Sequence, residues 1–436
     1  MKVGFISLGC SKNLVDTEMM IGLMKEHKLE IVNQEEEADI LIINTCGFIE
    51  SAKQEAIDTI LEMAKYKQTG KCKFLVATGC LVQRYQKELE KLLPEVDLWI
   101  SIDEYPNFWR KMEELLKIDD TVPYGELDYL KRVITTGKKT AYLKIAEGCS
   151  NFCTYCAIPY IRGKYQSRKM EDVLAEAKQL AKEGIQEIIL IAQDTTKYGM
   201  DLYEESKLPQ LLHEISQIDG IQWIRFLYAY PETITDKLIQ EVKNNPKVCH
   251  YFDIPIQHIA DTVLKRMNRK SDGASIRALI QKLRQEIPDV ILRTSLIVGF
   301  PGETKEEFEE LYQFVADAKF DKLGVFMYSK EDGTPAAKMK EQIHYQTKKS
   351  RWNRIMQEQS KISEEKLAEK MGKKYMALLE SVSPDGAYYI GRTYMDVPDM
   401  DGVIVLEKEK EIPLGTFVEC EITGICEYDL AGKILE

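Results

Sequence analysis

The chain has 436 residues, 44% of them hydrophobic and 30% charged, an ordinary globular composition long enough for about three domains. Its net charge of −12 argues against a large exposed basic surface, and no run approaches the roughly 20 apolar residues of a membrane span. Ten cysteines are too sparse for a disulfide scaffold, so their positions carry the information.

The opening MKVGFISLGC imitates a lipidation box at Ser7-Leu8-Gly9-Cys10, but its apolar stretch is too short for a secretory leader and reads as a strand. A cytoplasmic location is therefore expected. Residues 1–117 repeat a strand–loop–helix unit three times. VGFISLGC leads into NLVDTEMMIGLMKEH, ADILIINTC into ESAKQEAIDTILEMAKY, and CKFLVATGC into QRYQKELEKLLPE. Continuous apolar strands alternating with amphipathic helices predict a doubly wound α/β domain with a parallel sheet. Cys10, Cys46 and Cys80 each fall just after a strand. In such a sheet those turns share one edge, where ligands bind, so three thiols far apart in sequence are expected together in space. Cys72 starts its strand at the opposite end and is left out.

Residues 118–139 read as a linker. From residue 140 a second βα series gives six strands: AYLKIAEGC, QEIILIAQDT, WIRFLYAY, YFDIPIQH, VILRTSLIVGF and KLGVFMYS. Six repeats predict a partial (β/α) barrel rather than a closed eight-stranded one. Residues 342–373 form a bridging helix. Residues 374–436 change to short alternating runs divided by Pro, Asp and Gly, which predicts a small all-β barrel of the oligonucleotide-binding type.

Directly after the first barrel strand stands Cys149-Ser-Asn-Phe-Cys153-Thr-Tyr-Cys156. Thiolates hold iron–sulfur clusters, and a four-iron cubane ordinarily takes four of them. Three thiols leave one iron open to a small molecule. Structural zinc would need a fourth protein ligand, and none lies nearby in sequence. Any one of Cys10, Cys46 and Cys80 could be a small buried hydrophobe. The same position in three successive units points instead to a second, three-coordinated cluster. Cys249, Cys420 and Cys426 read as structural.

C-x3-C-x2-C in this setting resembles the signature of the radical S-adenosylmethionine superfamily. The whole chain resembles the methylthiotransferases of that superfamily: a three-cysteine domain, a radical barrel and a terminal β-barrel of the TRAM type. The resemblance implies two 4Fe-4S clusters, with Cys149, Cys153 and Cys156 on one and Cys10, Cys46 and Cys80 on the auxiliary one. It implies that the open iron of the first chelates S-adenosylmethionine and cleaves it to a 5′-deoxyadenosyl radical, with Tyr155 near the adenine. It also places Gly299, Pro301 and Gly302, in the turn after the fifth barrel strand, beside the cofactor. The turn has no phosphate-loop spacing, and on its own it reads equally as a plain strand-to-helix turn.

Two motifs resemble the branch that methylthiolates the β-carbon of an aspartate in the twelfth small-subunit ribosomal protein. They are Gly9-Cys10-Ser11-Lys12-Asn13-Leu14-Val15-Asp16, where the tRNA branch typically has Gln-Met-Asn after the cysteine, and Cys156-Ala-Ile-Pro-Tyr-Ile-Arg162-Gly163. Charge agrees independently. Residues 374–436 hold 5 Lys/Arg and 13 Asp/Glu, a net of −8, which repels a phosphate backbone and attracts a basic ribosomal protein, free or within the small subunit. The loop from Asp396 through Asp399 to Asp401 is one candidate contact or an ordinary solvated turn. Arg162, Lys164 and Arg168 either hold substrate or cofactor or pair with Glu171 and Asp172. Gln257 and Arg293 fall, by alternation, toward the barrel interior. An electron donor such as flavodoxin or ferredoxin is implied. The alternatives are a tRNA methylthiotransferase acting on isopentenyladenosine and a non-catalytic iron–sulfur or zinc scaffold.

Overall fold

The computed structural model describes residues 1–118, 127–137 and 139–435. The first sheet is wholly parallel and contains β1 (Lys2–Ser7), β2 (Glu30–Ile31), β3 (Ile40–Thr45), β4 (Phe74–Gly79) and β5 (Leu98–Ile100), in the order β2-β1-β3-β4-β5. Every residue of the central β3 is buried, as expected of a strand covered on both faces. Helices α1 (Ser11–Glu26) and Phe108–Leu116 pack on one face, and α2 (Glu50–Ala64) and Cys80–Leu92 on the other. The three expected strands are present. The two short edge strands β2 and β5 extend the sheet beyond them.

The segment 127–137 is no free linker. Arg132 is buried, with Nη1 2.7 Å from Glu18 on α1 and Nε 2.9 Å from Glu176 on the helix Met170–Lys182. The second contact is an ion pair without hydrogen-bond alignment. Its Nη2 also donates to the Tyr142 carbonyl at 2.6 Å. Gly22 lets α1 come this close, because a Cβ there would collide with the Lys131 carbonyl. The remaining linker residues, 119–126 and 138, lie outside the described residues. Removing one member of a buried pair leaves uncompensated charge, so Arg132→Met is expected to lower the unfolding free energy by about 3–5 kcal/mol. Urea titration of the full chain checks this, and a loss under ~1 kcal/mol would contradict a load on these pairs.

The second series gives six parallel strands in chain order: β6 (Thr140–Lys144), β9 (Glu187–Ile191), β10 (Trp223–Phe226), β11 (Tyr251–Asp253), β12 (Ile291–Val298) and β13 (Lys322–Met327). A two-stranded ladder, β7 (Ala146–Glu147) with β8 (Gln166–Ser167), closes the loop that carries Cys149, Cys153 and Cys156. Alternation divides each strand. Ala141, Leu143, Ile188, Leu190, Ile224, Phe226 and Phe252 join the core under the helices. The alternate residues Tyr142, Ile189, Trp223 and Tyr251 turn the other way and pack with the C-terminal residues.

The last part is a closed barrel of five strands, β14 (Lys374–Val382), β15 (Tyr388–Thr393), β16 (Ile404–Glu407), β17 (Phe417–Cys426) and β18 (Asp429–Ile434), in the order β14-β15-β16-β18-β17. Four of these are legible as alternating runs, and β18 is additional. The loop after β15 enters the floor of the (β/α) barrel. Arg225 donates to the Tyr394 and Thr393 carbonyls at 2.5 and 3.0 Å, Lys322 pairs with Asp396 at 2.8 Å, and Tyr251 Oη donates to Asp401 at 2.7 Å. Arg392 reaches Glu187 at 2.6 Å, and these paired cations overcome burial to hold the Glu187 carboxyl near pKa 2. Asp396 and Asp401 are therefore internal partners rather than a contact for a basic ligand. For these two the expected contact fails because their charges are satisfied within the chain, whereas Asp399 is exposed at the turn. Arg293 does face the lumen, where Asp253 holds it at 2.8 Å.

Candidate functional site

Strand ends position the first triad. Cys10 is the N-cap of α1, Cys46 follows β3, and Cys80 opens the helix Cys80–Leu92 after Gly79. Gly9, at φ +88°, runs so close to Cys46 that a Cβ would meet the Cys46 side chain, so only glycine lets β1 and β3 bring these thiols together. The three thiols feel one another electrostatically. Burial drives Cys10 up, but Lys12, Arg162 and the backbone N–H groups of Asn13 and Lys12 outweigh it and leave the thiol below its ordinary pKa. Burial pushes Cys46 up and Cys80 up to about 11, the latter against the pull of Arg162. Arg162 Nη2 lies 3.6 Å from the Cys80 sulfur.

The second triad lies on a loop fixed from several directions. The Cys149 N–H donates to the Gly163 carbonyl at 3.1 Å, the Thr154 N–H to Met267 at 3.0 Å, and the Ala336 N–H to Thr154 at 2.9 Å. Burial lifts Cys149 to about 11, and burial with the neighbouring Cys153 lifts Cys156 further. Cys153 Sγ and Tyr230 Oη are 2.8 Å apart. Thiols held protonated by burial ionise when a metal displaces the proton. Among the described residues no group of three or more His, Cys, Asp or Glu side chains is arranged to hold a metal ion. The chemistry of both triads, three thiols and no fourth ligand, fits clusters with one open iron.

A buried cation also stands near the second triad. Arg269 is buried, its Cζ 4.0 Å from the centre of the Tyr230 ring and within the field of Glu232, and its Nε and Nη1 have no hydrogen-bond partner among the described residues. Tyr155 packs beside Ile297 on the cluster that contains Phe300 and Tyr328, so it adjoins the Gly299–Gly302 turn. In that turn Gly299 (φ +72°) donates its N–H to Glu303, Pro301 is buried, and Gly302 (φ +76°) donates to the Glu341 carbonyl at 3.0 Å.

The two triads meet across one seam. Cys80 packs directly on Ala157 and Ile161, just beyond Cys156. Arg162 bridges the halves, pairing with Asp16 at 2.9 Å and Glu147 at 3.0 Å, while Lys144 pairs with the same two acids at 2.5 and 2.8 Å. At the rim, Arg84 donates to the Gly47 carbonyl at 2.6 Å and the Asp332 carbonyl at 2.9 Å, beside the buried Glu331. Of the other basic residues singled out, Arg168 pairs with Glu176 rather than with Glu171 or Asp172, and Lys164 is exposed. Cys72, Cys249 and Cys420 are buried away from both triads, whereas Cys426 is exposed. A cavity lined by Arg293, Lys322, Asp396 and Asp401 belongs to the floor contact, not to the thiols. Arg84, Tyr230 and Arg269 carry no sequence signal of their own, since each gains its meaning from a partner remote in the chain.

Three family models match in chain order: Uncharacterized protein family UPF0004 over residues 2–101, the Radical SAM superfamily over 143–315, and the TRAM domain over 371–435. The radical S-adenosylmethionine methyltransferase TsrM from Kitasatospora setae shares the fold, at TM-score 0.58 and 12% identity over 77% of this chain and 76% of its own. The cobalamin-dependent radical enzyme OxsB does so at 0.51 and 12%, over 83% and 56%. Among curated relatives, the ribosomal protein uS12 methylthiotransferase RimO of Alkaliphilus oremlandii is 64% identical over 100% of this chain and 99% of its own. The protein of that name in Clostridium novyi is 51% identical over 100% and 98%. With likeness running from end to end at this level, the chain belongs to the methylthiotransferase family of radical S-adenosylmethionine enzymes, alongside the ribosomal protein uS12 methylthiotransferases.

Proposed function

We propose that this protein attaches a methylthio group to the β-carbon of an aspartate of ribosomal protein uS12. The observation that carries the reading is the seam itself, where Cys80 of one triad rests on the loop of the other. In this reading Cys149, Cys153 and Cys156 hold the radical-generating 4Fe-4S cluster, and Cys10, Cys46 and Cys80 hold an auxiliary one. When bound, the first cluster supplies the electron that cleaves S-adenosylmethionine to the 5′-deoxyadenosyl radical, and the auxiliary cluster presents the sulfur.

The chain's own side chains then have distinct tasks. Arg269 offers two free N–H groups to an anionic part of the cofactor, and Tyr155 with the Gly299–Pro301–Gly302 turn walls the space beside it. Tyr230 orients the Cys153 sulfur. Arg162 keeps the halves in register and places positive charge on Cys80, which favours its thiolate. The reading divides the chain into an N-terminal domain of residues 1–117, a linker of 118–139, a radical barrel of 140–373 and a TRAM barrel of 374–436. Its electrons come from a small carrier protein such as flavodoxin or ferredoxin, and its ribosomal substrate places it in the cytoplasm. No described helix is long and apolar enough to cross a membrane.

The tRNA and scaffold readings give way because the full-length relatives carry the uS12 methylthiotransferase name. Mass spectrometry of ribosomal proteins and tRNA from cells lacking this protein tests the choice. The expected result is uS12 without its methylthio mass and tRNA unchanged. Unaltered uS12 with hypomodified tRNA would reverse the substrate.

A further inference from the structure

We infer that the exposed basic surface around the loop of Cys149, Cys153 and Cys156 is where an acidic electron-carrier protein docks. This rests on the functional reading and adds to it the place where the electrons enter.

The loop reaches solvent at Phe152, which is 46% exposed although it directly precedes Cys153. Its φ of +50° is one that a bulky residue adopts only where its surroundings impose it. Asn268 does so, its side-chain amide donating to the Asn151 and Phe152 carbonyls at 3.3 and 3.0 Å. The result is an aromatic side chain held outward on a fixed loop. Two segments flank it. The Thr154 N–H donates to the Met267 carbonyl at 3.0 Å and its Oγ1 to the Arg266 carbonyl at 2.8 Å, while its own carbonyl accepts from the Ala336 N–H at 2.9 Å. Met267 and Met339 turn inward onto the apolar cluster that includes Tyr155. The lysines around them, Lys265, Lys270, Lys338 and Lys340, are exposed.

Charge here runs against the rest of the chain. The whole carries −12, yet residues 265–270 hold four cations and no acid, and residues 333–340 hold two lysines and no acid. Arg266 is matched to Glu307 at 2.9 Å, but among the described residues the four lysines form no ion pair. The acids that border these segments are turned elsewhere. Asp272 accepts the Ser275 N–H as a helix cap, Asp332 lies 3.5 Å from Tyr85 of the first domain, and the Glu341 carboxylate faces Gly302. Exposed, unpaired lysines steer an oppositely charged partner. They repel basic uS12, and a long polyanion would run from this small patch onto an acidic protein. A compact acidic carrier matches the sign of the patch, and Phe152 gives it an apolar contact beside the cysteine loop. One electron then leaves the reduced carrier, which is oxidised, and enters the cluster, which is reduced; no bond forms or breaks in that transfer.

Anaerobic calorimetry on the reconstituted full-length enzyme tests this, with an acidic flavodoxin, an acidic ferredoxin, uS12 and a short single-stranded RNA as separate titrants. Wild type is expected to bind at least one carrier, more weakly as salt rises. The combined variant Lys265→Glu, Lys270→Glu, Lys338→Glu, Lys340→Glu should weaken that binding at least about 30-fold and reduce carrier-driven formation of 5′-deoxyadenosine in step. Formation driven by dithionite, which needs no docking, should stay within about twofold. The same reversal at Lys25, Lys178, Lys182 and Lys237, exposed on distant helices, should leave carrier binding within about threefold. If the reversed variant loses its iron, glutamine at the four patch positions decides, with a loss of at least about fivefold expected. Loss of iron there too means that the lysines serve the loop, and the inference falls. It also falls if neither carrier binds wild type, if both sets of reversals weaken binding alike, or if the patch variant loses uS12 or RNA and keeps the carrier. A wild-type enzyme that adds no methylthio group to uS12 even with dithionite sinks the functional reading instead, a result separate from carrier affinity.

Discussion

Alanine at Cys149, Cys153 or Cys156 is expected to cut formation of 5′-deoxyadenosine to below roughly a thousandth of the wild-type rate, a fraction of the acceleration enzymes supply. Three thiols with no fourth ligand leave no redundancy. The loop around them is held by backbone hydrogen bonds to the carbonyls of Gly163, Met267 and Thr154, so losing one sulfur should leave the fold in place. Iron analysis and far-ultraviolet circular dichroism of the anaerobically purified variants, beside chromatographic detection of 5′-deoxyadenosine, separate chemistry from unfolding. A variant that kept its iron and went on cleaving the cofactor would remove this triad from the radical cluster.

The mirror-image result is expected for Cys10, Cys46 and Cys80. Their alanine variants should continue to form 5′-deoxyadenosine while methylthiolated uS12 falls below roughly one hundredth of wild type. The two triads are separate in the chain and join only at the seam, where Cys80 rests on Ala157 and Ile161. Cys46 is the cleanest choice, because Cys10 caps α1 and Cys80 opens its own helix. Measuring both products in the same reaction decides the matter. Equal loss of both in a folded protein would mean that the thiols do not divide the labour.

Much of this site is legible in the residues because it depends on local pattern. Apolar runs followed by amphipathic helices fix the βα units, and those units carry Cys10, Cys46 and Cys80 to one edge of a parallel sheet. The edge strands β2 and β5, with two and three residues, are too short to show a period. Arg132, Arg84 and Lys12 look like ordinary charged residues until the fold sets them against Glu18, Glu331 and Tyr228, each more than a hundred positions away. The loop after β15 misleads for the same reason. Asp396 and Asp401 read as solvated because their cationic partners, Lys322 and Arg293, belong to another part of the chain.

That loop bears on how such enzymes diversify. Val397 is fully buried, and beside it Asp396 pairs with Lys322 while the Tyr394 carbonyl accepts from Arg225 at the floor of the neighbouring barrel. Grafting a foreign terminal domain onto residue 373 would strip Arg225, Lys322 and Arg293 of those partners. New substrate preferences are therefore easier to acquire by changing residues at the seam than by exchanging the tail.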